Sequence, residues 1–124
     1  MPILKSVSKV GHNAESLRNV LKYVSREGKG EELLKTGLGC STEAEEVFRQ
    51  FMFNKRNFNK TTGKFYKHYI QSFAPDEVSP EVAHDIALKF AEENFLKKGF
   101  RAYVVTHTDK DHIHNHIVVD NVNF

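Results

Sequence analysis

Apolar residues recur along this chain with two different periods, and the changes of period divide it into elements. Residues 2 to 10 mix apolar and polar positions loosely, as in Ile3, Lys5, Val7 and Lys9, and Gly11 breaks the run, which predicts a short first strand. Asn13 can cap the helix that follows, whose Leu17, Val20, Leu21 and Val24 fall on one helical stripe. At about 100° per residue, Tyr23 lies at the polar border of that stripe, in its last turn. There it either presents its hydroxyl outward or packs at the sheet boundary. Residues 29 to 39 are polar, hold three glycines and read as a loop with a short turn at Glu31 to Leu34.

Thr42 and Glu45 have capping-box spacing, and Ala44, Val47, Phe48, Phe51 and Met52 mark a second amphipathic helix ending near residues 55 to 57. Residues 59 to 63 form a turn. Residues 65 to 73 then read as a strand with Tyr66, His68, Ile70 and Ser72 on one face. Ser79, Pro80 and Glu81 start a third helix, with Val82, Ala83, Ile86, Phe90 and Ala91 as its buried stripe and Lys97, Lys98 and Gly99 at its end. Two β-rich runs, residues 101–106 and 113–119, flank a polar stretch, Thr108 to Asp111, suited to a hairpin turn. The order β-α-loop-α-β-α-β-β predicts one α+β domain over residues 1–124, an antiparallel sheet with helices packed mainly on one face. The other face is then available for a site.

Ten phenylalanines among 124 residues and 27% charged positions suit a single globular core. The lone Cys40 excludes an intramolecular disulfide. No apolar run is long enough for a bilayer, and the N-terminus lacks a signal peptide's apolar core, so the expected setting is the cytoplasm with no membrane insertion. The net charge of +2 is unevenly spread. Residues 49 to 70 carry Arg49, Lys55, Arg56, Lys60, Lys64 and Lys67 with no acid, among Phe51, Phe53, Phe58, Phe65, Tyr66 and Tyr69. Cations beside stackable rings suit single-stranded nucleic acid. A helix end and a solvated loop with core aromatics would look the same.

The chemistry concentrates near the C-terminus, where His107, His112, His114 and His116 account for four of the seven histidines. Side chains at i and i+2 of a strand share a face, so His114 and His116 project together, and a hairpin brings His107 beside them. Three imidazoles on adjacent strands make a metal site with open positions. His112 and His114 are also spaced i, i+2, so a register in which His112 replaces His116 stays open. All-nitrogen ligation favours Mn²⁺, Zn²⁺ or Ni²⁺ over Mg²⁺.

His107-x-Asp109, the run His114-Asn115-His116-Ile117-Val118-Val119, Tyr23 before Val-Ser-Arg-Glu-Gly-Lys, Cys40-Ser41 before a helix, and His68 to Pro75 together resemble the relaxases, or mobilisation nucleases, of the HUH endonuclease group. The resemblance covers nearly the whole chain. It implies an HUH-like fold and site- and strand-specific nicking of DNA at the transfer origin of a plasmid or transposon. It makes Tyr23 the nucleophile, linked to the new 5′ phosphate, and His107, His114 and His116 ligands of Mg²⁺ or Mn²⁺. Asp109 is then either an ordering group behind a ligand or a plain turn residue. His68 either assists the site or is a polar residue on a sheet face. Lys55, Arg56, Lys60, Lys64 and Lys67 are the expected DNA contacts, with accessory relaxosome proteins as further partners. Relatives commonly have Asn at the position of Asp120, and relaxase domains typically continue beyond the last strand seen here, so the chain reads as an N-terminal fragment. The competing readings are a rolling-circle replication initiator, a three-histidine zinc hydrolase, and a non-catalytic module binding single-stranded nucleic acid. Initiators usually place the histidine motif before the tyrosine, whereas here Tyr23 comes first.

Overall fold

A computed structural model describes residues 3–6, 13–25, 33–57, 66–74, 77–109 and 112–123. Among the described residues five strands and three helices follow one another as β1 Ile3–Ser6, α1 Ala14–Ser25, β2 Leu33–Leu38, α2 Ala44–Asn57, β3 Tyr66–Phe73, α3 Pro80–Asn94, a short 3₁₀ turn Leu96–Lys98, β4 Phe100–Asp109 and β5 His112–Asn123. The strands form one sheet in the order β1-β3-β5-β4-β2, and every pairing is antiparallel. The α+β architecture expected from the sequence is therefore present.

The stripe on α1 seats Leu17, Leu21 and Val24 against Val47 and Phe51 of α2 and against Tyr66, Tyr103, Val105 and Val118 of the sheet. Asn13 caps α1, its Oδ1 accepting from Ser16 N at 2.9 Å. On the other face α3 brings Ala87 and Ala91 onto Ala102, Val104, Ile117 and Val119. Two of the three helices thus share a face, and α3 covers the reverse. Ser79 caps α3 as expected, accepting from Val82 N at 3.2 Å.

Four local expectations are corrected. Residues 33–38 are an edge strand rather than a loop, paired from Leu33 opposite His107 to Leu38 opposite Ala102. An edge strand needs one partner and little core, so its apolar signal is weak. Gly37 is required there, because an added Cβ would meet the Cys40 carbonyl oxygen at 2.0 Å. The Thr42 capping box is not formed; Glu45 instead pairs with Arg18 and Lys22 of α1, and Ser41 Oγ accepts from Glu43 N. The buried stripe of α3 is Ala83, His84, Ala87 and Ala91, with Val82 half exposed, since small side chains at i, i+4 let the helix approach the sheet closely.

The fourth concerns Lys55. Its side chain is fully buried against an equally buried Asp120, Nζ to Oδ1 2.6 Å, and Asn54 Nδ2 donates to the other carboxylate oxygen at 3.2 Å. Burial lowers the Lys55 pKa and the Asp120 carboxylate opposes that shift. Lys55 thus leaves the set of surface cations. Among the described residues no helix is long and apolar enough to cross a membrane.

Removing one member of such a pair strands a buried charge. Lys55→Met should cost about 3–5 kcal/mol, and adding Asp120→Asn should recover most of it. Urea unfolding checks this; a near-neutral single variant would mean that water reaches Asp120.

Candidate active site

The pairing of β4 with β5 sets the site. His107 stands opposite His114, and Val105 opposite His116, while on the other side of β5 Ile70 faces His116 and Ser72 faces His114. Alternation then puts His107, His112, His114 and His116, with His68 of β3, on the face that α1 and α2 partly cover. The site is therefore not on the face opposite those helices. It lies at one end of the helix-bearing face, where the last turn of α1 stands over the strands.

His116 is the hub. Its ring centroid is 4.7 Å from that of His107, 5.2 Å from that of His68, and 6.1 Å from that of Tyr23, which meets it edge-on at 89°. Tyr23 is half exposed, so one ring joins the histidine cluster to the surface. His112 is exposed and stacks on His114 with centroids 6.4 Å apart, one step outward from the cluster.

Hydrogen bonds orient these rings. His107 Nε2 donates to the Val24 carbonyl in the last turn of α1; a carbonyl only accepts, so Nε2 carries a proton and Nδ1 is the nitrogen left to face the cluster. His116 Nδ1 and His68 Nε2 share a hydrogen bond of 3.0 Å, and His114 Nδ1 lies 3.2 Å from Ser72 Oγ. Burial pushes His68 down to about 4. Burial, reinforced by the charges of His107, His68 and His114, pushes His116 down to about 3. Both are neutral imidazoles at physiological pH, the form that binds metal ions.

The donor set suits a divalent cation. A ligating histidine normally anchors its second nitrogen on a carbonyl, hydroxyl or similar group, and His107 on Val24, His114 on Ser72 and His116 on His68 follow that pattern. Among the described residues, however, no three His, Cys, Asp or Glu side chains form a ready-made cage, so holding an ion takes some reorientation of rings that are already close. Asp109 ends β4 opposite His112, and its side chain lies outside what is described.

Of the expected DNA contacts, Lys60 and Lys64 lie outside the described residues, and Arg56 and Lys67 are exposed. Lys67 projects to the face away from His68, as strand alternation requires. A cleft of about 400 Å³ opens elsewhere, lined by Gly39, Arg49, Gln50, Phe53, Asn54 and Arg101. It adjoins the start of β4, at the opposite end of that strand from His107. Sequence reasoning passed over Val24 and Ser72, which act through a carbonyl and a hydroxyl that no residue pattern marks. Ser72 was at least placed on the same face as His68.

The chain matches the family model "Relaxase: MobA/VirD2-like, nuclease domain" over residues 23–124. It is similar to a "Protein rlx" from Staphylococcus aureus, 36% identical over 94% of this chain and 34% of the relative. A second "Protein rlx" from the same species is 34% identical over 95% of this chain and 34% of the relative. The "Group II intron-interrupted relaxase LtrB" of Lactococcus lactis subsp. cremoris is 29% identical over 90% of this chain and 24% of the relative. The chain thus spans about a third or less of the length of these relatives.

Burying two neutral histidines links stability to pH. An unfolded imidazole takes its proton near 6.5, whereas His68 and His116 resist to about 4 and about 3. The unfolded chain therefore binds more protons below 6.5, and stability falls as pH drops, by about 1.4 kcal/mol per pH unit for each group across that window. Metal-free protein should show a lower urea midpoint at pH 5 than at pH 7, with a shallower dependence in His68→Gln. Equal midpoints would mean that these rings are hydrated.

Proposed function

Since the chain belongs to the relaxases, as a MobA/VirD2-like nuclease domain, we propose that it nicks one DNA strand at a transfer origin through a covalent 5′-phosphotyrosine on Tyr23. The supporting observation is the placement of the half-exposed Tyr23 edge-on to His116. A nucleophile must be reachable by a bulky phosphodiester and yet touch the group that activates the reaction. Tyr23 meets both conditions.

A phenol keeps its proton at neutral pH and is a weak nucleophile, so it needs proton removal and a polarised phosphate. His107, His114 and His116 would hold Mg²⁺ or Mn²⁺, which when bound supplies positive charge to the scissile phosphate without any charge from the ligands. Tyr23 Oη forms a bond to phosphorus as the bond from phosphorus to the 3′ oxygen breaks. The phenol proton is lost, and the departing oxygen gains one to become the 3′ hydroxyl. A phosphodiester is conserved for later rejoining. His68, hydrogen-bonded to His116, orients that ring rather than binding the ion. Asp109 serves as an ordering group at the hairpin, and His112 stays outside.

Single-stranded DNA is the substrate, bound through Arg56, Lys60, Lys64 and Lys67. Relaxosome proteins are the expected accessory partners, in the cytoplasm of a cell carrying a mobilisable plasmid or transposon.

Tyr23→Phe removes one hydroxyl at a half-exposed position. It should leave folding and Mn²⁺ affinity unchanged and abolish the denaturation-resistant adduct with labelled origin DNA. His114→Ala should lose Mn²⁺ binding and cleavage together. An adduct persisting in Tyr23→Phe would move the nucleophile elsewhere.

Replacing Arg56, Lys60, Lys64 and Lys67 by Ala should weaken binding to all single strands alike and flatten the salt dependence by about 0.7 per lost phosphate contact. Titrations at several salt concentrations measure this. An unaltered slope would remove these residues from the interface.

A further inference from the structure

Behind the histidine cluster, on the face covered by α3, the sheet interrupts its apolar packing with a row of polar side chains. Thr106 of β4 faces Asn115 of β5, and Asn115 faces Gln71 of β3. All three are buried, and so is His84 of α3. The next row toward one end of this face pairs Val104 with Ile117, and the next row toward the other end includes Ile113 opposite Phe73. The polar row lies between the row of His107, His114 and Ser72 and the row of Val105, His116 and Ile70, whose side chains point to the opposite face.

The hydrogen bonds of this row have a single direction. Asn115 Nδ2 donates to Gln71 Oε1 at 3.0 Å and to the Ala83 carbonyl at 2.7 Å, so its Oδ1 is left to accept. Thr106 Oγ1 donates to that oxygen at 2.6 Å and therefore accepts from His84 Nδ1 at 2.7 Å. His84 Nε2 in turn accepts from Thr36 Oγ1 at 2.7 Å. The chain closes with His84 neutral, the state that its burial favours.

Valine would pack this core without desolvating polar groups, which are costly to bury unless paired. What Thr106, Asn115 and Gln71 add is direction: van der Waals packing tolerates small slides, whereas a chain of bonds through four strands and a helix does not. Asn115 is held by three bonds at the one residue between His114 and His116. Thr106 is held by two at the residue before His107.

We propose that Thr106, Asn115, Gln71 and His84 form a positioning network that holds His107, His114 and His116 at the spacing a divalent cation requires. The proposal rests on the metal-dependent reading given above. It assigns Thr106 and Asn115 as positioning residues that act through the backbone of the strands bearing the ligands, with α3 as the rigid support.

Thr106→Val keeps shape and removes the hydroxyl that joins His84 to Asn115, and Thr106→Ser restores it. Val104→Ala, on the same face of the same strand but outside the network, controls for lost stability. In the 124-residue chain, titration with MnCl₂ should show affinity falling about tenfold or more in Thr106→Val and staying within about twofold of wild type in Thr106→Ser and Val104→Ala. His84→Leu, which leaves the strands untouched, should weaken affinity in the same direction and serves if Thr106→Val does not fold. Unchanged affinity in both network variants, or a loss in Val104→Ala equal to theirs, overturns the proposal.

Imidazole ¹⁵N–¹H spectra without metal separate this failure from failure of the metal reading. Thr106→Val should shift the His107, His114 and His116 resonances, and Val104→Ala should leave them in place. If the wild type binds no Mn²⁺, the metal reading fails and the spectra alone decide the positioning claim. Unshifted resonances then overturn it too.

Discussion

In β4 and β5 every second side chain points to the same face, and a register of His107 opposite His114 puts His107, His114 and His116 together on the face that α1 reaches. Sliding one strand by a single residue would turn His114 and His116 into the α3 core and bring Asn115 out. The same slip would bury imidazoles against Ala87, Ala91 and Val104 without partners. Both faces therefore enforce the one register, the apolar residues by exclusion and the Thr106–Asn115–Gln71 row by direct bonding. The chemistry inherits its precision from that pairing.

α1 supplies what the sheet lacks. Its stripe of Leu17, Leu21 and Val24 is buried in the core, which leaves Tyr23 at the edge of the packed surface. The bond from His107 to the Val24 carbonyl then joins the helix end to the strand end, so that the tyrosine and the histidines belong to one unit. Burial keeps His68 and His116 neutral, which disfavours a cluster of mutually repelling imidazolium ions and favours one receptive to a cation.

Much of this was legible in the sequence because the strong signals are periodic. The i, i+2 spacing of His114 and His116, the α1 stripe that put Tyr23 at its border, and the Ser79-Pro80 helix start all depend on local rules, and all reappear in the structure. The misread parts depend on tertiary context. Residues 33–38 look like a loop because an edge strand is defined by its neighbour rather than by its own apolar content. Lys55 looks like a DNA contact until Asp120, sixty-five positions later, is seen to bury it. His84 sits between alanines on α3, and only the folded sheet shows that Thr36 and Thr106 satisfy both its nitrogens. Sequence placed the cluster on an open sheet face, but the helices divide between the faces, and the site lies at the end of the more heavily covered one.

The central claim is that this hairpin, with His107, His114 and His116, forms one divalent-cation site beside Tyr23. Anomalous diffraction from crystals of the chain soaked in Mn²⁺ tests it most directly. The account predicts one strong peak at about 2 Å from a nitrogen of each of these three imidazoles, with His68 behind His116 and His112 turned away. A peak held by His112 with His116 outside its coordination shell, or none near the hairpin, would contradict it.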